Sequence, residues 1–400
     1  MYPELAAWQK SVDARMDRIL NELDFIKNRT AVYLGGNEAL TWLADETPIF
    51  INTDDSGCPM NFLNGGRYEE DNFSLLLSYR KPGDTFLDIG GNLGVFSLRM
   101  APYLRQGKIL AFEPQTRMRN LFSRSVFLNG YGDKITVHPW AVSDGEGEAE
   151  LNIPAEAAGG ASLENPSGQG ERVQLHRLDD QVPEGFTCDL VKIDVEGHEL
   201  HALRGMQRVL RRSPSVVVLF EKLTPDLGNE AELMAFAEDL GWTIYGIGDG
   251  FITPVTLETF RRQGGYFAAG RAEVMTAGGV RRNLLDIYPG DLNVLQGDME
   301  AGRLRISAAA SRSGTVLFHG PYWFVPRGYY LLSLEGEIEG KFQLDIQERF
   351  GYKLGGFELH PGQMAMDLQV QRDLVRFELV LKSLGGGTLA MERIRLVKLG

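Results

Sequence analysis

From about residue 84 the chain repeats one local pattern, a short apolar strand, a turn and a helix, and few folds are open to a chain built that way. Thr85–Ile89 is an apolar run that ends at Gly90-Gly91-Asn92-Leu93-Gly94, and a helix follows through Tyr103. Lys108–Phe112 reads as the next strand, closed by Glu113-Pro114, with a helix near Thr116–Leu128 behind it. Strands at residues 135–139 and Leu190–Ile193, a helix over 200–210, a strand at 215–220, a helix over 230–240 and a strand at Thr243–Ile247 continue the series. The alternation predicts an α/β domain whose mostly parallel sheet is covered by helices on both faces. Residues 154–170, rich in Gly, Ala, Ser and Pro, interrupt the pattern and read as a lid beside the site.

The flanks differ. In residues 1–30, Leu5, Trp8, Val12, Met16, Ile19, Leu23 and Ile26 step by three or four, which predicts a helix with one apolar stripe. Such a stripe suits either packing on its own domain or a dimerising arm. The α/β domain then spans 31–268, and a small, glycine-rich stretch, 269–283, reads as a linker. Over 284–400 short alternating runs are separated by glycine turns, as at Arg303–Ser307, 329–335 and 375–381, and no comparable helix occurs. Regularly spaced short strands predict a β-sandwich of jelly-roll type.

The glycine turn after Thr85–Ile89 would let backbone approach a ligand at the mouth of the sheet. A dinucleotide fingerprint needs glycine two residues after Gly90, and Asn92 stands there instead, so the pyrophosphate spacing fails. Asp88, an acid inside the strand end, would sit badly beside a diphosphate and suits a ligand with an amino group and a sulfonium charge. Glu113 ends the next strand, where a ribose-binding acid is expected in this wiring. Ser143-Asp144 follows the apolar run Trp140–Val142, and an acid there can accept from an exocyclic amine of adenine; Ser-Asp-Gly is also ordinary turn chemistry.

The densest constellation is Lys192-Ile193-Asp194-Val195-Glu196-Gly197-His198-Glu199, three acids and a histidine at the carboxyl end of a strand. Charge so crowded costs energy unless a cation sits nearby. A cofactor sulfonium is one candidate and a divalent ion another, since Asp194, Glu196 and Glu221 are hard oxygen ligands. Their spacing is not diagnostic, and no residue is assigned to a metal.

In order and spacing these blocks resemble the FkbM family of class I methyltransferases. The resemblance covers residues 66–222 and is carried by Gly66-Arg67-Tyr68-Glu69, Phe86 through Gly94, Ala111-Phe112-Glu113-Pro114, Ala141-Val142-Ser143-Asp144, Arg177-Leu178-Asp179 and Lys192 through Glu199. Gly91 departs from the alanine more usual in that family. The resemblance implies a Rossmann-like domain that binds S-adenosylmethionine and methylates a sugar hydroxyl. Asp88, Gly90, Asn92 and Gly94 would surround the methionine part, with Glu69 an acid near the cofactor. Glu113 would hold the ribose, Ser143 and Asp144 the adenine, and Asp194 would face the methyl group. For the proton of the accepting hydroxyl, His198 is the first choice as base, because imidazole titrates near working pH. Asp194 is the alternative, and Glu221 faces the same cleft.

The formal charge of −13 and the lack of a basic patch argue against nucleic acid as a partner. The partner expected is a glycan or small molecule, with a homodimer through residues 1–30 as a second expectation. No apolar run reaches membrane-spanning length, no signal-peptide pattern opens the chain, and only two cysteines occur, Cys58 and Cys188, so a cytoplasmic protein is expected. Two other readings compete. A nicotinamide-dependent sugar enzyme would commonly carry Tyr-x-x-x-Lys, and no tyrosine here has lysine four residues on. A carbohydrate-binding scaffold that kept the fold would not need Asp88, Glu113 and Asp194 intact. In the C-terminal region Tyr322, Trp323, Tyr329 and Tyr330 offer either a sugar-stacking platform or core packing.

Overall fold

The computed structural model describes residues 12, 15, 19, 30–55, 57, 59, 62, 66–155, 157–164, 169–222, 228–248, 251–276, 284–308, 312–348 and 351–399. The expected N-terminal helix and Cys58 therefore lie outside the described residues, apart from three isolated positions in the helix.

An antiparallel meander comes first: β1 (Val32–Gly35), β2 (Glu38–Trp42) and β3 (Pro48–Asn52). Helix α1 (Glu70–Tyr79) leads into β4 (Thr85–Ile89), α2 (Val95–Met100), β5 (Lys108–Phe112), α3 (Thr116–Leu128) and β6 (Ile135–His138). A three-stranded side sheet follows, made of β7 (Trp140–Val142), β8 (Gly147–Ile153) and β9 (Gln169–His176). After α4 (Leu178–Gln181) come β10 (Leu190–Ile193), α5 (Glu199–Gly205), α6 (Gln207–Arg212), β11 (Val217–Lys222), α7 (Glu230–Asp239), β12 (Thr243–Ile247), β13 (Ile252–Pro254), α8 (Leu257–Arg262), β14 (Gly265–Gly270) and α9 (Ala272–Thr276).

The main sheet runs β13-β12-β14-β11-β10-β4-β5-β6. Strands β6, β5, β4, β10 and β11 are parallel, and β14 lies antiparallel between β11 and β12. The chain moves outward from β4 to β6, then returns to lay β10 on the other side of β4. That reversal opens a crevice beyond the carboxyl ends of β4 and β10, where sheets of this kind bind ligands. Every residue of β10 is buried, as expected for a strand covered on both faces. Lys192 is the exception in chemistry, and it lies directly beside Asp88 in the β10–β4 ladder.

Two expectations change in detail. The single helix over 200–210 is two short helices that meet at Met206. The stretch expected as a linker begins inside β14 and continues into α9, whose Met275 is buried and accepts a hydrogen bond from Tyr79 through its carbonyl (2.9 Å).

The C-terminal region is a nine-stranded antiparallel sheet in which short strands flank a few long ones. Gly328–Glu348 and Leu374–Lys398 run through it as long neighbours, bent at register shifts beside Gly336 and Gly340. Gly336, Gly340 and Gly385–Gly387 are thus positions inside continuous strands, not turns that end short ones. Trp323 and Tyr330 are core residues, whereas Tyr322 and Tyr329 are exposed, so the four aromatics form no common platform. This sheet is docked on the α/β region through Arg80, which is fully buried. Its guanidinium donates to Asp291 Oδ1 (2.9 Å), to the Asp286 carbonyl (2.8 Å) and to the Tyr103 carbonyl (3.2 Å), and lies 4.2 Å from the Trp323 ring centre.

No helix among the described residues is long and apolar enough to cross a membrane.

Candidate active site

The turn after β4 is tied into the sheet by its own backbone. Gly90 and Gly91 both donate to the Phe112 carbonyl at the end of β5 (3.0 Å each), and Asp194 donates to the Ile89 carbonyl (3.0 Å). Gly90 has a φ of 77°, and a Cβ there would lie 1.9 Å from the Asp194 carbonyl oxygen. Gly94 has a φ of 84°, and its Cβ would lie 2.1 Å from the Phe122 ring on α3. Only glycine lets the turn sit flush between β10 and α3.

Above this turn is a cleft that opens to solvent. Gly90, Asn92, Glu113, Asp194, Glu196 and His198 line it together with apolar side chains from Phe112, Ala141, Val142 and Leu151. Among its described lining residues there is no lysine or arginine. A cleft with this lining suits a small molecule with apolar and polar parts.

Glu113 is held by two backbone donors, Asn92 N–H to Oε2 (2.7 Å) and Gln115 N–H to Oε1 (2.8 Å). Burial nevertheless pushes its carboxyl up to about 7 against those bonds. Deeper in, the Lys192 ammonium donates to the Gly90 carbonyl (2.9 Å) and lies 3.1 Å from Asp194 Oδ2 and 3.9 Å from Asp88 Oδ1. Burial alone would discharge this lysine, but Asp194, Asp88 and Glu69 hold it above its ordinary value. Asp194 also accepts from the Tyr266 hydroxyl (2.8 Å) on β14. Against the upward push of burial, Lys192 and hydrogen bonds from Glu221 and Tyr266 keep Asp194 below the usual carboxylate range. Glu221 takes the opposite course: burial, then the Asp194 charge, raises it to about 9, so it is the protonated partner that donates to Asp194.

The residues singled out in sequence thus divide. Gly90, Asn92, Glu113, Asp194 and His198 reach the cleft. Asp88 does not, and the expectation that it touches a ligand is corrected: it is buried beneath the turn, accepts from Ser97 Oγ (2.6 Å) and is a support for Lys192. Gly94 packs on Phe122 instead of facing the cleft. Glu69 and Glu221 belong to the acid group around Asp194 but do not line the cavity. Ser143 and Asp144 likewise do not line the cleft, whereas their neighbours Ala141 and Val142 do. Ser143 Oγ is bonded to His198 Nε2 (3.0 Å), and Asp144 Oδ2 to His201 Nδ1 (2.9 Å).

His198 is the sharpest departure. Its other nitrogen, Nδ1, lies 2.7 Å from Glu164 Oε1, so both ring nitrogens are engaged and neither is open to an incoming hydroxyl. The role of base expected for it does not fit this geometry. Tyr266 and Lys192 are the functional candidates that sequence reasoning missed or passed over. A lysine inside a wholly apolar strand was a readable signal for Lys192; nothing local marks Tyr266. Oxygens of Asp194, Glu196 and Glu221 lie within 4.8 Å of one another, but the Asp194 charge is already met by Lys192.

A doubly wound sheet with its cleft at the switch point is a Rossmann-like arrangement. Residues 88–241 match the methyltransferase FkbM domain. Over 149 residues it is 29% identical to "Methyltransferase 1" of Beauveria bassiana, covering 31% of this chain and 59% of that protein. It is 28% identical over 197 residues to "Methyltransferase sdnD" of Sordaria araneosa, covering 41% and 75%. The "Hexuronic acid methyltransferase AglP" of Haloferax volcanii is 29% identical over 158 residues, covering 38% and 62%. The chain therefore spans between three-fifths and three-quarters of the length of the curated relatives it matches.

Proposed function

We propose that this protein is an S-adenosylmethionine-dependent O-methyltransferase whose acceptor is a hydroxyl of a sugar or glycan. The observation that carries the reading is the cleft itself: it is lined by Glu113, Asp194 and Glu196, with no described lysine or arginine to receive an anionic cofactor. That lining fits a donor with net positive charge and disfavours a pyrophosphate. When bound, S-adenosylmethionine supplies an activated methyl group on a sulfonium.

The chain's own residues have separable tasks. Each Glu113 oxygen keeps acceptor capacity beyond its one backbone bond, which suits the two hydroxyls of a ribose. Ala141, Val142 and Phe112 offer apolar walls to a base. Asp194, ionised and held by Tyr266 and Lys192, is the group we assign to take the acceptor's proton. Glu221, protonated, prevents two negative charges from meeting at that point. A sugar acceptor is supported by the relative named for a hexuronic acid.

The test is calorimetric titration with S-adenosylmethionine, S-adenosylhomocysteine and NAD, followed by an acceptor screen with methyl-labelled donor. Binding of the first two but not NAD, with label found on a sugar oxygen, is expected. No heat with either adenosyl ligand would refute the reading.

A further inference from the structure

We propose that His198 is a positioning residue, a latch that fastens the strap of residues 157–164 across the cleft, and that it takes no proton from the acceptor. The inference rests on the reading of the cleft as the methyl-donor site.

The strap leaves the end of β8 and passes over the cavity, so that Ala158, Gly159, Ala161 and Leu163 form part of its wall. It is held by a backbone bridge between Ser162 and Asn152 of β8 (2.9 and 3.0 Å) and by side-chain ties. The Gly159 N–H donates to Asp55 Oδ2 (3.2 Å), the Ser162 hydroxyl donates to the Glu196 carbonyl (2.7 Å), and the Glu164 carboxylate meets His198 Nδ1 (2.7 Å). The last tie differs from the others because its anchor spans two elements. The ring of His198 bridges the strap to Ser143 just after β7, the strand whose Ala141 and Val142 also line the cleft.

The ring's chemistry fits that task. His198 is 6% exposed, and burial holds its imidazole below the ordinary value, which leaves it neutral near pH 7. A neutral imidazole has one donor and one acceptor. Glu164 can only accept, so Nδ1 carries the hydrogen and Nε2 accepts from the Ser143 hydroxyl. His201, one turn on, stacks on the same ring at 4.6 Å between centres and is itself fixed by Asp144. The imidazole is thereby locked in one orientation, as a clasp requires and as a base exchanging protons with a mobile substrate does not.

A strap that walls the donor should affect how tightly the donor binds and how slowly it leaves, with little effect on chemistry at saturation. The experiment compares wild type with His198→Ala, Glu164→Ala, Glu164→Gln and the double variant His198→Ala/Glu164→Ala. Donor Kd is measured by calorimetry, steady-state rates at saturating donor, and unliganded Tm as a folding control. The latch predicts that each alanine variant weakens donor binding about tenfold while kcat stays within about twofold. Glu164→Gln, which keeps an acceptor oxygen, should bind within about twofold of wild type. The double variant should be no worse than either single, since both remove one interaction. A fall in kcat of about a hundredfold with unchanged Kd would make His198 the base after all. Unchanged Kd in both alanine variants, with wild type binding normally, would overturn the latch alone. Failure of wild type to bind donor would overturn the functional reading beneath it.

Discussion

Lys192 and Asp194 face one another at 3.1 Å, two residues apart at the end of β10, and Asp88, Glu69 and Glu221 gather around that pair. Residues two apart along a strand point to the same face, so the pairing follows from the backbone. Asp88, next to Lys192 across the ladder, adds a second carboxylate to one ammonium.

Lys192→Met should therefore cost far more than its volume change suggests. It leaves Asp88 and Asp194 buried without a counter-charge, a defect on the order of 3–5 kcal/mol. Urea unfolding checks this. A loss below about 1 kcal/mol would mean that the two acids take up protons without penalty.

Stability of the unliganded protein should fall as pH rises from about 5 to 9. Glu113, Glu196 and Glu199 are raised to about 7 and Glu221 to about 9, chiefly by burial. An acid whose folded pKa exceeds its unfolded value of about 4.3 stabilises the fold through its neutral form, and that contribution drains away as pH climbs through the folded value. Glu221→Gln should flatten the limb between pH 7 and 9. A Tm that rises over this range would contradict the assignment.

Donor binding near pH 7 should release protons. A cationic ligand favours the ionised forms of Glu113 and Glu196 and lowers their pKa values. Affinity then increases with pH, by at most about tenfold per unit for each proton released. Titrations in two buffers of different ionisation enthalpy measure the proton count directly, and uptake rather than release is the adverse result.

Gly90→Ala should disable the site through geometry. Its Cβ would meet the Asp194 carbonyl at 1.9 Å in a left-handed conformation, so the turn must move away from β10. We expect at least about 2 kcal/mol of destabilisation and loss of donor binding by calorimetry. Normal binding would show that the turn does not shape the cleft.

Arg80→Met tests the union of the two sheets. It removes three hydrogen bonds and leaves Asp291 buried without its partner, a cost of about 3–5 kcal/mol. Faster proteolysis between residues 270 and 290 should accompany the loss. Unaltered cleavage and Tm would mean that the apolar contacts hold the sheets without it.

The sequence by itself determined the elements that local chemistry specifies: the run Thr85–Ile89 with its glycine turn, Glu113 at the next strand end, and Asp194 after Leu190–Ile193. Alternation, glycine spacing and an acid at a strand terminus are readable one segment at a time, because backbone sterics and burial act over a few residues. The parallel α/β sheet followed from the same signals. Only the tertiary structure decided which of those residues reach the cleft. Asp88 and Ser143 sit in the right segments but do not line the cleft, Tyr266 arrives from a strand 72 residues after Asp194, and Glu164 crosses 34 residues to close on His198. Gly336, Gly340 and Gly385–Gly387 gave no hint that they lie inside long strands and not at the ends of short ones. Strand pairing and side-chain direction depend on contacts between distant segments, whose free energy exists only once both are in place.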